Sequence, residues 1–269
     1  MKSITLLRLN KAQKGLRDSD ADKVIAASGD KVQDKLATEL LAKEISALQS
    51  LLYAEQGRKL LVVLQGMDTA GKDRSIGSTF SQCNLMGVRA ASFKAPTAAE
   101  LAHDFLWRVH AQVPAKGQIV VFNRSHYEDV LVPRVHGWID EHECEQRYRH
   151  IIAFENMLHE TGTTILKIFI HISRQEQTNR LRARLQDPQK QWKFDASDLH
   201  ERPYWDAYQQ AYWQAMSVTD ADSAPWYIVP GNSKTQRNLQ IAMLVKETLE
   251  NMQLAFPPFR PDLAQLVVD

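Results

Sequence analysis

Five short apolar runs recur along the chain with helix-sized intervals between them. They are the run inside Lys59-Leu60-Leu61-Val62-Val63-Leu64-Gln65, then Val88 to Phe93, Ile119 to Phe122, Thr164 to Ile172 and Trp226 to Val229. Runs this short and this uniformly apolar fit strands buried on both faces, since a half-exposed strand would alternate polar and apolar residues. Helical spacing fills the gaps. From about Asp30 onward, Val32, Leu36, Leu40, Leu48, Leu51 and Leu52 share a face at steps of three, four or eight, and Gly57 offers a C-terminal cap. Thr97-x-x-Glu100 and Ser173-x-x-Glu176 fit capping boxes, in which each acid reaches back to the cap residue's amide. Strands alternating with helices predict an α/β fold with a central, mainly parallel five-stranded sheet flanked by helices.

Residues 11–30 are polar and mixed in charge, and the segment from Pro257 starts rich in proline. The expected division is an N-terminal arm over 1–30, one domain over 31–258 and an irregular tail over 259–269. Composition adds exclusions. A net charge of +1 over 269 residues gives no global pull towards nucleic acid or an anionic membrane. Cys83 and Cys144 are the two cysteines, a usage that fits a reduced interior. No apolar run approaches the roughly 18–20 residues needed to cross a bilayer, and the first ten residues lack a signal-peptide core. The expectation is a soluble, cytoplasmic chain without membrane or nucleic-acid partners.

The strongest motif is Gly66-Met67-Asp68-Thr69-Ala70-Gly71-Lys72-Asp73, the G-x-x-x-x-G-K frame of a phosphate loop. Glycines let the backbone turn over an anion, amides of residues such as Thr69 and Ala70 point inward, and Lys72 reaches the terminal phosphates. A strand pattern precedes the loop and a helix-compatible stretch follows, so helix N-terminal amides would face the same anion. Two acids depart from the usual frame. Asp73 stands where a Ser or Thr commonly holds Mg²⁺, and Asp68 lies inside the loop, where it makes sense on a metal or a substrate proton.

Ile119-Val120-Val121-Phe122 leads into Asn123-Arg124-Ser125-His126-Tyr127-Glu128-Asp129. The strand beside a phosphate loop often ends in a Mg²⁺-holding acid; here that place is Asn123, and Glu128 and Asp129 follow. Arg124 is expected on phosphates, Glu128 or Asp129 on metal or nucleotide, and His126 in a structural hydrogen bond. Lys94, at another expected strand end, also suits a phosphate. Between Ser173 and Asp222 a polar segment carries Arg180, Arg182, Arg184, Lys190 and Lys193, with Arg180 and Arg184 on one helix face. Its place late in the sheet suits a basic lid over about 174–222 that supplies charge to transferring phosphates. The bland alternative is a solvated helix. The aromatic stripe Tyr204, Trp205, Tyr208, Tyr212 and Trp213 reads as core or subunit contact.

Taken together, Gly66 to Asp73, Phe93 to Thr97, His103 to Arg108, Phe122 to Val132, Arg180 to Lys193 and Ala224-Pro225-Trp226 make the chain resemble the family 2 polyphosphate kinases, class III. The likeness spans roughly residues 35–255. It implies a thymidylate-kinase-like P-loop kinase fold with a helical lid, and phosphoryl transfer from inorganic polyphosphate to AMP and ADP, giving ATP, with Mg²⁺ or Mn²⁺. Asp68, Lys72, Arg124 and Arg184 would be catalytic. Gly66, Thr69, Ala70, Gly71, Asp73, Lys94, Asn123, Glu128 and Arg134 would contact nucleotide or phosphate. Arg180, Lys190 and Lys193 would hold polyphosphate, and Asp68 and Asp129 the metal. Other branches carry Asp-Arg-Ser-x-Tyr-Asn in the second motif; Asn123 and Glu128 here look like the branch that accepts AMP as well as ADP. The resemblance also implies a homodimer or homotetramer. An ATP-dependent nucleoside monophosphate kinase is the nearest alternative; a nucleotide switch and a polyanion-binding protein are further ones.

Overall fold

The computed structural model describes residues 5–261. Within them the five apolar runs are strands of one parallel sheet in the order β2-β3-β1-β4-β5. β1 is Lys59–Gln65, β2 Val88–Ser92, β3 Ile119–Asn123, β4 Thr163–His171 and β5 Trp226–Pro230. β1, β3 and β4 bury almost every residue, as their unbroken apolar runs require. The edge strand β2 instead exposes Arg89, Ala90 and Ser92.

The helices are α1 Lys31–Glu55, α2 Lys72–Thr79, α3 Ala98–Leu101, α4 Trp107–His110, α5 Glu128–Val135, α6 Glu141–Glu160, α7 Arg174–Gln186, α8 Ser197–Glu201, α9 Trp205–Thr219 and α10 Lys234–Asn251. α1, α2 and α10 pack as one group, and α5, α6 and α9 as another. The chain runs from β1 to strands on one side of it, then crosses to β4 and β5 on the other. Such a reversal opens a crevice beyond the carboxyl ends of the central strands. Register places Leu64 of β1 beside Asn123 of β3, so the two motif loops leave the sheet as neighbours.

Local signals hold with two differences. Thr97 and Glu100 exchange both bonds of a capping box. Ser173 accepts from the Glu176 amide, but the Glu176 carboxylate turns forward to Arg180 at 2.7 Å instead of back to the cap. α1 ends on Gln56 in the left-handed conformation, one residue before Gly57.

The apolar stripe expected to bury α1 does not do so along its first half. Val32, Leu36 and Leu40 are exposed, while Asp34, Thr38, Ala42, Ile45, Gln49 and Leu52 face inward. Asp34 sets this rotation: its carboxylate accepts from the Ser28 amide at 2.9 Å and hydroxyl at 2.7 Å, which pins the helix start against the preceding turn.

The N-terminal arm packs against the sheet. Leu7, Leu9 and Ala21 are buried, and Arg8 forms an antiparallel bridge with Tyr227 of β5. Arg8 also pairs with Asp220, and the Asn232 amide donates to the Ala21 carbonyl. These contacts seal the β5 edge of the sheet. Residues 262–269 of the expected tail lie outside the described residues. In the lid segment, α9 buries Trp205, Tyr208, Ala211, Tyr212, Ala215 and Met216. Its Trp205, Tyr208 and Tyr212 therefore belong to the core, and Tyr208 and Tyr212 also line the crevice.

Candidate active site

The phosphate-loop motif folds as a tight turn from β1 into α2. Two glycines take backbone conformations that side chains rarely adopt, and both lie against close neighbours. A Cβ on Gly66, at φ 152°, would lie 2.7 Å from the Ile170 carbonyl, and one on Gly71, at φ 100°, would lie 2.3 Å from the Arg237 guanidinium. Thr69 also takes a left-handed φ of 65°. Lys72 is buried at the start of α2, and its Nζ donates to the Gly66 carbonyl at 2.6 Å. Burial, then the neighbouring Arg124, lower its pKa to about 8, with Asp68, Glu128 and Asp73 opposing the shift.

The second motif meets this loop directly. Arg124, at φ 62°, donates its amide to the Leu64 carbonyl and its side chain to Asp68 at 2.6 Å and Glu128 at 3.4 Å. Glu128, then Asp68, hold its guanidinium firmly charged. Burial pushes the Glu128 carboxyl upward despite Arg124 and Lys72. Asn123 donates to Asp73 at 2.6 Å. Asp68, Lys72, Asp73, Asn123, Arg124 and Glu128 thus form one cluster at the carboxyl ends of β1 and β3.

Asp129 points elsewhere. Its carboxylate pairs with Arg108 at 3.3 Å, and Arg108 also donates to the Lys94 carbonyl at 2.8 Å. Asp129, expected on the metal with Asp68, lines the cleft and is held by Arg108, because the first turn of α5 turns its side chain towards α4. Lys94 is exposed and lines the same cleft. Arg134 does not line it: the guanidinium lies against α6, on Tyr148 at 3.3 Å and Glu141 at 3.2 Å. About one and two-thirds helical turns separate it from Glu128, which puts it on another face of α5.

Over the cleft, Arg184 of α7 and Lys190 of the loop after it each have a carboxylate partner. Arg184 lies 3.6 Å from Asp198 of α8, and Lys190 pairs with Asp187. Burial, then the nearby Asp68, raise the Asp198 pKa to about 6. The Lys193 side chain lies outside the described residues. Arg180 corrects the expectation of a polyphosphate contact. Beyond its bond to Glu176, it donates to the carbonyls of Thr69, Ala70, Gly231 and Asn232, so every N–H is directed onto protein. It joins α7 to the back of the phosphate loop. The whole cleft measures about 2410 Å³, beyond the ~300–1,000 Å³ of a typical small-ligand pocket.

Two sets of residues carried no motif. One is Arg237 of α10, against Gly71. The other is a buried network behind the second motif: Lys167 donates to Glu155 at 2.6 Å and Tyr127 at 3.0 Å, and His126 lies 3.2 Å from Glu155. His126 is therefore structural. A lysine inside the apolar run of β4 was the one available signal for this network, since a buried ammonium requires a partner.

A parallel sheet with a phosphate-loop turn at its centre and a cationic crevice at the switch point defines a P-loop kinase fold, that is, a phosphotransferase. The polyphosphate kinase 2 family model matches residues 28–257, and the chain belongs to that family. It is 47% identical to the AMP/ADP-polyphosphate phosphotransferase of Meiothermus ruber, over 94% of this chain and 95% of that one. It is 42% identical to the ADP-polyphosphate phosphotransferase of Rhodopseudomonas palustris, over 81% and 80%. Polyphosphate kinase 2 from Arthrobacter aurescens superposes with a TM-score of 0.92 at 40% identity, over 98% of this chain and 95% of that one.

Proposed function

We propose that the chain reversibly transfers a phosphoryl group from inorganic polyphosphate to AMP and to ADP, giving ADP and ATP. Polyphosphate-dependent nucleotide phosphorylation follows from family membership. The observation that ties it to these residues is the Asp68–Arg124 contact at 2.6 Å, which joins the phosphate loop to the second motif beside Lys72.

A nucleotide phosphate oxygen is already ionised near neutral pH, so the attack needs no strong base. Positioning and charge then do the work. In our reading Lys72 and the loop amides hold the moving phosphoryl group, Arg124 bridges it to the acceptor, and Arg184 and Lys190 exchange their carboxylate partners for the phosphate chain. Asp68 orients the acceptor end. The residues suit a cation carried in on phosphates: Asp68 and Asp73 both line the cleft, and no group of three or more His, Cys, Asp or Glu is assembled among the described residues. Mg²⁺ commonly binds through one or two carboxylates with phosphate and water oxygens. When bound, Mg²⁺ or Mn²⁺ would neutralise charge on the transferring phosphates.

We further place the protein in the cytoplasm as a homodimer or homotetramer. Among the described residues no helix is long and apolar enough to cross a membrane, and the exposed Val32, Leu36 and Leu40 of α1 suit a subunit contact. Light scattering on the purified chain measures that state. The decisive assay is ATP formation from AMP or ADP with Mg²⁺ and long-chain polyphosphate as sole donor. Rapid product from both acceptors is expected. No product, with ADP formed from ATP plus a monophosphate, would move the chain to ATP-dependent monophosphate kinases.

A further inference from the structure

Behind the phosphate loop lies a guanidinium that no carboxylate contacts among the described residues. Arg237, in the first turn of α10, is 1% exposed. Its Nε donates to the Ser75 hydroxyl at 2.9 Å, one terminal nitrogen donates to the Ala70 carbonyl at 2.9 Å, and the other to the Asn238 side chain at 2.8 Å. All three acceptors are neutral. No carboxylate lies within ion-pair distance of it among the described residues. The Ala70 carbonyl also accepts from Arg180, so two guanidiniums flank one peptide of the loop, and Glu176 pairs only with Arg180.

A buried charge left unpaired is costly, and it persists where something else supplies the opposite charge or where function requires it. Burial, then Arg180 and Arg74, lower the Arg237 pKa to about 9, with the more distant Glu176 opposing them only in part. The guanidinium packs against the Cα of Gly71, the residue at which the loop turns into α2, and it lines the cleft. Gly71 is at φ 100°, which already favours glycine, and Arg237 occupies the space that a side chain there would take.

We propose that Arg237 is a positioning residue for phosphoryl transfer, which fixes the loop through Ala70 and Ser75 and whose charge is balanced by the phosphates bound on the loop's other side. This rests on the phosphate-loop reading of Gly66 to Lys72. It makes anion binding and loop order one event: an occupied loop removes the penalty of the buried cation.

The test separates charge from hydrogen bonding. Arg237→Gln keeps a donor for Ala70 but has no charge, and Arg237→Lys keeps the charge on a single nitrogen. Each is assayed for polyphosphate KM and kcat with ADP, and for the rise in Tm on adding inorganic tripolyphosphate alone. Arg237→Gln should raise the polyphosphate KM by about tenfold and lose most of the tripolyphosphate-induced rise in Tm. Its Tm in plain buffer should stay at or above that of the parent. Arg237→Lys should retain the larger part of both responses. Two results overturn the proposal: a normal tripolyphosphate response in Arg237→Gln, or equal losses in the two variants, which would reduce Arg237 to a brace of fixed shape. Lys72→Ala, run beside them, judges the loop reading separately, since only failure of that reading leaves its turnover intact.

Discussion

Asn123 donates a hydrogen bond to Asp73 at 2.6 Å across the mouth of the phosphate loop. These are the two positions at which the chain departs from the common pattern of a Ser or Thr after the loop lysine and an acid at the neighbouring strand end. The departures compensate. The carboxylate has moved from the strand end to the helix start, and the pair still presents one acid and one neutral polar group. Asp73 in the first turn of α2 also suits the helix dipole.

Asn123→Asp should disturb this balance by setting two carboxylates face to face. Repulsion raises the pKa of one of them and is relieved by a cation. The Mg²⁺ concentration for half-maximal rate should shift severalfold, with kcat at saturating Mg²⁺ changed less. An unaltered Mg²⁺ titration would remove the pair from the cation site.

Lys72→Ala should lower kcat by about a hundredfold to a thousandfold, the usual cost of removing a donor aimed at developing charge. Circular dichroism should show the fold retained, because the lysine bonds only to carbonyls of its own loop.

Arg180 and Arg184 lie one helical turn apart and should behave differently. Arg180→Ala strips hydrogen bonds from four carbonyls and is expected to cost about 2–4 kcal/mol in urea denaturation. Arg184→Ala, partly exposed beside Asp198, should leave the urea midpoint unchanged and raise the polyphosphate KM. Matching effects in both assays would return Arg180 to the list of substrate contacts.

In the proposed function, Asp198 competes with the phosphate chain for Arg184, from which it lies 3.6 Å away. Asp198→Asn should lower the polyphosphate KM about two- to fivefold at pH 7.5, the scale of a part-exposed ion pair. The carboxyl titrates near pH 6 in the folded protein, above its ordinary value. As pH falls through that range the wild-type side chain protonates and releases Arg184, so the difference between parent and variant should shrink steadily below about pH 6. The same raised pKa means that ionising Asp198 disfavours the fold, so its stability contribution is lost as pH rises from about 4 to about 6. A constant KM ratio from pH 5.5 to 7.5 would rule out the competition.

β1, β3 and β4 were legible because burial on both faces leaves an unbroken apolar signature; the run beginning at Lys59 matches β1 to the residue. The loop motif and the second motif were legible for a related reason. Both need particular residue types at adjacent positions, so their chemistry is written locally. Orientation was not. The spacing of Val32, Leu36 and Leu40 gave a face to α1 but not the side that meets α10, which Asp34 and the Ser28 turn decide. Charge type was legible for Arg134, Asp129 and Arg180, but direction was not, since one residue of helical rotation moves a side chain by about 100°.

By itself, then, the sequence determined the α/β class, the order of strands and helices, the phosphate-loop frame and the cationic character of the segment from Arg180 to Lys193. Only the tertiary structure decided which charges meet. Asn123 finds Asp73 because β3 lies beside β1, and Arg237 reaches Gly71 from more than 160 residues along the chain because α10 packs against α2. A pairing across such distances leaves no local pattern to read, since any of many arginines would satisfy the sequence and only packing selects one.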